Sequence, residues 1–122
     1  VLFRSEAFAM VDAGICTPED IDKAVRYGFG FRYIAAGPAM QRDHAGLEIH
    51  AAGGTTIYPT LNNSATIAKC LSDRVASGKF GMKTGEGFYS WTAESIRAER
   101  ERYQDALREG LKIIQKELPK IK

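Results

Sequence analysis

Along most of this chain the apolar residues recur at spacings of three and four, the period of an α-helix with one buried face. Val1 to Ala13 is apolar from its outset, with no capping residue before Leu2, and reads as a helix already under way. Gly14 supplies a stop. Thr17-Pro18-Glu19-Asp20 then opens a second helix. Thr17 is the N-cap, Pro18 takes the first helical position, and two acids sit at the positive end of the helix dipole. Asp20 occupies the capping-box position. Ile21, Ala24 and Val25 carry the apolar stripe onward, and the helix is expected to end near Gly28-Phe29-Gly30.

Phe31 to Ala36 is apolar apart from Arg32 and leads into Gly37-Pro38, where the residue before proline favours extended backbone. A helix is predicted from Pro38 to about His50. Gly53 to Tyr58 has strand-like propensity but lies between helices and is assigned to helix, and Pro59 to Asn63 is a loop. Ser64 is expected to cap a helix through Ile67, Ala68, Leu71 and Val75, ending at Ser77-Gly78. Thr92 caps the last helix, whose one face holds Ile96, Tyr103, Leu107, Leu111, Ile114 and Leu118, with Pro119 closing it. Alternating strand patterns are nearly absent. The expected fold is all-α, a bundle of about five helices.

Between the last two helices lies Gly78-Lys-Phe-Gly-Met-Lys-Thr-Gly-Glu-Gly-Phe-Tyr-Ser-Trp91. Its glycines permit tight turns and close backbone approach, and its rings are large apolar anchors. It reads as a clasp that folds back and pins itself to the core. It is a poor phosphate loop, because Met82 stands where glycine must precede Lys83-Thr84. Gly85-Glu86-Gly87 also fails as a dinucleotide fingerprint, lacking a strand before it and a long helix directly after it.

At 122 residues the chain fits one domain, and its net charge of +2, with acids and bases intermixed, gives no stripe for nucleic acid. No apolar run approaches the length needed to span a bilayer. Cys16 and Cys70 are far apart and lack the spacing of metal ligands. They fit free thiols in a reducing cytoplasm, although spacing alone does not decide whether they pair.

The candidate chemistry is sparse. His44 and His50 are six residues apart, on different faces of one helix, where a metal pair needs four. No nucleophile elbow or paired carboxylates stand out, so neither a catalytic residue nor a metal ligand is assigned. Arg32 is the cation in Gly30-Phe-Arg-Tyr-Ile-Ala-Ala-Gly-Pro38. A guanidinium among apolar neighbours needs an anion, either a helix carboxylate within the chain or a ligand carboxylate or phosphate.

Three blocks of this sequence resemble the C-terminal domain of the 3-hydroxyacyl-CoA dehydrogenases. They are Glu6-Ala7 with Gly14 and Thr17-Pro-Glu-Asp-Ile-Asp-Lys-Ala-Val25, then Gly28-Phe-Gly30 running into Gly37-Pro38, then Gly81-Met-Lys-Thr-Gly-Glu-Gly-Phe-Tyr89. The resemblance covers roughly residues 6–91 and implies the helical domain shared with 6-phosphogluconate dehydrogenases. Residues 92–122 form an added helix. Val1 to Ser5 match one reading frame of a common sequencing adapter and are expected to be non-native.

The resemblance implies a fragment of a cytoplasmic, homodimeric enzyme of fatty acid metabolism. Its N-terminal domain, absent here, would bind NAD and hold the catalytic His–Glu pair, while this domain binds the substrate and forms the dimer. The family's polar Asn would lie upstream of Glu6. The Gly37-Pro38 turn matches the segment that borders the acyl chain, which makes Ala36, Gly37, Pro38 and Ala39 pocket candidates. The commonest pattern has Met before Gly-Pro and an aromatic after it, so Ala36 and Ala39 imply a reshaped pocket. Arg32-Tyr33 is similar to branches acting on short hydroxy acids or carnitine-like substrates. The substrate is thus an acyl-CoA or a short 3-hydroxy acid, with neither nucleic acid nor membrane as partner. The competing reading is a stand-alone helical oligomerisation module without catalysis.

Overall fold

The computed structural model describes residues 2–115. Among them are seven α-helices and two short 3-10 turns, with two isolated β-bridges and no strand, as the helical periodicity requires. The helices are α1 (Leu2–Asp12), α2 (Pro18–Tyr27), α3 (Phe29–Arg32), α4 (Pro38–Ala45), α5 (Leu47–Ile57), α6 (Lys69–Ala76) and α7 (Ala93–Ile114). The expected positions Leu118 and Pro119 lie outside the described residues.

Local chemistry sets most boundaries. Thr17 caps α2 through the full reciprocal pair, its hydroxyl accepting the Asp20 N–H at 3.1 Å while Asp20 Oδ2 accepts the Thr17 N–H at 2.9 Å. Thr92 caps α7 in the same way with Ser95. Gly14, at φ +69°, ends α1, and the Ile15 N–H reaches back to the Met10 carbonyl at 3.0 Å. The helix expected over Pro38–His50 is two helices. Gly46 breaks it at φ +99°, closing α4 through its N–H to Arg42 and opening α5. The doubtful stretch after Gly53 is helical through Ile57 and passes into a 3-10 turn at Tyr58–Thr60.

One boundary departs from expectation. Ser64 does not cap α6, which begins only at Lys69. The Ser64 hydroxyl instead accepts the Thr66 N–H at 3.2 Å, a local turn that competes with helix initiation. The cap comes from α1: Asp12 accepts the N–H groups of Lys69 and Cys70, each at 2.7 Å.

Helix α1 packs on α2 and α6, α2 on α3, and α4 on α5. The interior is thin, the buried apolar residues among those described being Ala7, Ala36 and Cys70. Both cysteines are free thiols. The chain of 13.4 kDa exposes 10037 Å². A compact monomer of that mass exposes about 6,500 Å². Many of its large apolar side chains therefore face outward, among them Phe31, Leu47, Ile57 and Leu107.

Candidate functional site

The clasp between α6 and α7 is built by its glycines. Gly78, Gly81 and Gly85 take φ of +72°, +88° and +79°, where a side chain would be strained. Gly87 is required by proximity, since a methyl group there would meet the Gly81 Cα at 2.7 Å. Folded this way, the loop bonds to itself. Gly81 donates to the Glu86 carbonyl at 2.8 Å, Gly87 to Tyr89 at 2.9 Å and Gly85 to Met82 at 3.4 Å, while the Trp91 N–H closes on Gly85 at 2.8 Å.

Three helices receive the clasp. Phe88 stacks on Phe8 of α1, with centroids 5.4 Å apart and planes 7° from parallel. The Arg74 guanidinium of α6 lies over the Phe88 ring at 4.4 Å, and its Nε donates to the Gly87 carbonyl at 3.2 Å. The Tyr89 hydroxyl donates to Asp22 Oδ2 of α2 at 2.6 Å. That bond, aided by burial, pushes the Tyr89 phenol up to about 12. Because Gly78, Gly81, Gly85 and Gly87 spend their N–H groups inside the chain, this loop offers a dinucleotide phosphate no cradle. These clasp residues do not fit NAD.

A cavity of about 310 Å³ lies where α1, α2 and the clasp meet. Phe8, Ile21, Val25 and Phe88 give it apolar walls, and Arg4, Asp22, Arg26 and Tyr89 add polar groups.

The residues expected to meet substrate gather on the turn between α3 and α4. Arg32 ends α3 and is exposed. No ion pair forms on it among the described residues, so the internal carboxylate partner left open by the sequence is not found. Tyr33 sets its edge against Phe29 at 5.7 Å. Ala36 is buried, its N–H bonded to the Arg32 carbonyl at 3.1 Å and its carbonyl held by Gln41 Nε2 at 2.8 Å. Gly37 is extended, Pro38 starts α4, and Ala39 is exposed. These bonds fix the turn's backbone while leaving Arg32, Tyr33 and Ala39 accessible.

A second polar group escaped the sequence reading. Arg42 Nη1 lies 3.3 Å from His50 Nε2, in an open cleft with Gly54, Thr55 and Tyr58. The two are eight residues apart and meet only because the chain bends at Gly46. His44 takes no part in this pair.

Residues 1–91 match the family model described as "3-hydroxyacyl-CoA dehydrogenase, C-terminal domain". The 5-formyl-3-hydroxy-2-methylpyridine 4-carboxylate 5-dehydrogenase of Mesorhizobium japonicum is 34% identical over 106 residues, covering 84% of this chain and 34% of that protein. The mitochondrial hydroxyacyl-coenzyme A dehydrogenase of Homo sapiens is 33% identical over 93 residues, covering 75% of this chain and 29% of the relative. A crystal structure of a 5-formyl-3-hydroxy-2-methylpyridine 4-carboxylic acid 5-dehydrogenase, described as an NAD+ dependent dismutase, superposes with a TM-score of 0.83 at 31% identity. It covers 96% of this chain and 38% of that one. The chain thus spans about a third of the length of these relatives.

Proposed function

The chain belongs to the 3-hydroxyacyl-CoA dehydrogenase family through its C-terminal domain, and from that premise we propose that it is the substrate-binding and dimerisation part of an NAD-dependent dehydrogenase. The observation that carries this reading is the surface. An exposed area of 10037 Å², rich in outward-facing aromatic and aliphatic side chains, is what a domain presents when other parts of an enzyme cover it. NAD and the catalytic His–Glu pair belong, on this reading, to an N-terminal domain, and the whole enzyme is cytoplasmic. No helix among the described residues is long and apolar enough to cross a membrane.

The substrate is an acyl-CoA or a short 3-hydroxy acid, and this chain's share of its recognition falls to Arg32, Tyr33, Ala36, Gly37, Pro38 and Ala39. Arg32 supplies a guanidinium with no ion-pair partner among the described residues, a fit to a carboxylate or phosphate. Tyr33 adds an aromatic face, and the small side chains at Ala36 and Ala39 leave space beside the turn. The two dehydrogenase relatives act on different molecules by name, one a hydroxyacyl-coenzyme A and one a pyridine carboxylate. Both carry anionic groups, which an exposed arginine suits.

The test is enzymatic. The purified 122-residue chain, given NAD+ and a 3-hydroxyacyl-CoA or a short 3-hydroxy acid, is expected to produce no NADH. The same chain joined to an NAD-binding domain of the family is expected to produce it. Turnover by the chain alone would remove this reading.

A further inference from the structure

The cleft between α4, α5 and the 3-10 turn at Tyr58–Thr60 has no part in the reading above. Its volume, about 660 Å³, falls within the usual range of small-molecule sites. Arg42 comes from α4, His50 from α5, and Tyr58 and Pro59 from the turn. No acid lines it among the described residues. Asp43 and His44 of α4 and Glu48 of α5 stay off its walls. The Glu48 carboxylate is turned to Gly46 instead, where a methyl group would meet it at 2.7 Å.

The cationic end is held by the bend at Gly46, which takes φ of +99°. That bend brings Arg42 Nη1 to 3.3 Å from His50 Nε2. A guanidinium only donates, so His50 accepts through Nε2 and carries its ring proton on Nδ1. The charge of Arg42 thus meets a neutral acceptor, and Arg42 forms no ion pair among the described residues. An oxyanion in the cleft accepts from Arg42 directly. Once the ring proton sits on Nε2, the same oxyanion accepts from His50 as well.

The other end of the cleft is an aromatic seat. Gly54 is buried inside α5, a position where glycine is less favourable than alanine. Its reason is the ring beside it, since a methyl group there would meet Tyr58 Cε2 at 3.0 Å. Without that methyl group, Tyr58 lies against the helix and stays 71% exposed, open to a second ring. Thr55 adds no donor, because its hydroxyl is spent on the Ala52 carbonyl at 2.7 Å.

We propose that this cleft binds an oxyanion carried on a planar ring, with Arg42 and His50 on the anion and Tyr58 against the ring. Carboxylate and phosphate share the chemistry that the cationic end recognises. Arg32 does not line the cleft, so this site is separate from the substrate turn and does not rest on the dehydrogenase reading.

Isothermal titration calorimetry of the 122-residue chain tests it, with phenyl phosphate, benzoate and inorganic phosphate as probes. Phenyl phosphate, benzoate or both are expected to bind at least tenfold more tightly than inorganic phosphate, and the stronger of the two names the anion. Arg42→Gln and His50→Leu are each expected to weaken that binding at least tenfold, and Tyr58→Ala to remove the advantage of the ring. Arg32→Met is expected to leave it unchanged, and circular dichroism to show the same helix content in all four variants. Absence of binding by both ring-bearing probes overturns the proposal. So does binding that survives Arg42→Gln, that shows no preference for a ring, or that is lost in Arg32→Met. Each of these results leaves the dehydrogenase reading standing, because that reading does not use the cleft.

Discussion

The carboxylate of Asp12, at the end of α1, accepts the backbone N–H of Cys70 at 2.7 Å and so caps a helix that starts far along the chain. Its other oxygen takes the N–H of Lys69. One side chain satisfies two of the four donors that a helix start leaves open and ties α1 to α6. Asp12→Ala is expected to lower the melting temperature by a few degrees, and Asp12→Asn, which keeps an acceptor, by less. A scanning calorimetry series of the three proteins decides this.

Acid sensitivity follows from the same contact. Burial works against ionisation of Asp12, but the Cys70 N–H and thiol and the Lys69 N–H outweigh it and hold the carboxyl below its ordinary 3.8. Thr17 does the same for Asp20. A carboxyl lowered in the folded chain stabilises it fully above about pH 4, and that contribution is lost as pH falls through the folded value. Urea midpoints are expected to drop below pH 4 in the parent and to drop less in Asp12→Ala.

At the alkaline end the sign reverses. Tyr89, bonded to Asp22, titrates near 12 where an ordinary tyrosine titrates at 10. Its contribution is complete below pH 10 and is lost as pH rises from there through about 12. Ultraviolet titration is expected to show one late tyrosinate that disappears in Tyr89→Phe and moves down in Asp22→Asn.

The glycines of the clasp and of the substrate turn are expected to respond differently. Gly87→Ala drives a methyl group into the Gly81 backbone and is expected to cost about 1–3 kcal/mol in urea unfolding. Gly37→Ala meets no atom within 4 Å, and φ is −68°, so it is expected to be neutral or to stabilise by about 0.4–1 kcal/mol. Equal losses at the two positions would contradict the roles given to them.

Arg32 separates binding from folding. It is exposed and has no ion pair among the described residues, so Arg32→Met is expected to leave the melting temperature unchanged. In the complete enzyme it is expected to raise KM roughly 10- to 100-fold, the worth of a hydrogen bond to a charged group. A lower melting temperature with an unchanged KM would assign Arg32 to structure instead.

Much of this protein is determined by neighbours in the chain. Thr17 with Asp20, Thr92 with its first turn, and Gly14 at positive φ act over three to five residues, so the sequence alone marks those helix ends and the all-α class. The glycine and ring pattern of the clasp is legible for the same reason. Tertiary structure alone decided that Asp12 starts α6 in place of Ser64, that Arg42 meets His50 across Gly46, and that Arg32 pairs with no carboxylate among the described residues. Each depends on packing that brings distant or uncorrelated groups within bonding distance, and no spacing rule encodes that.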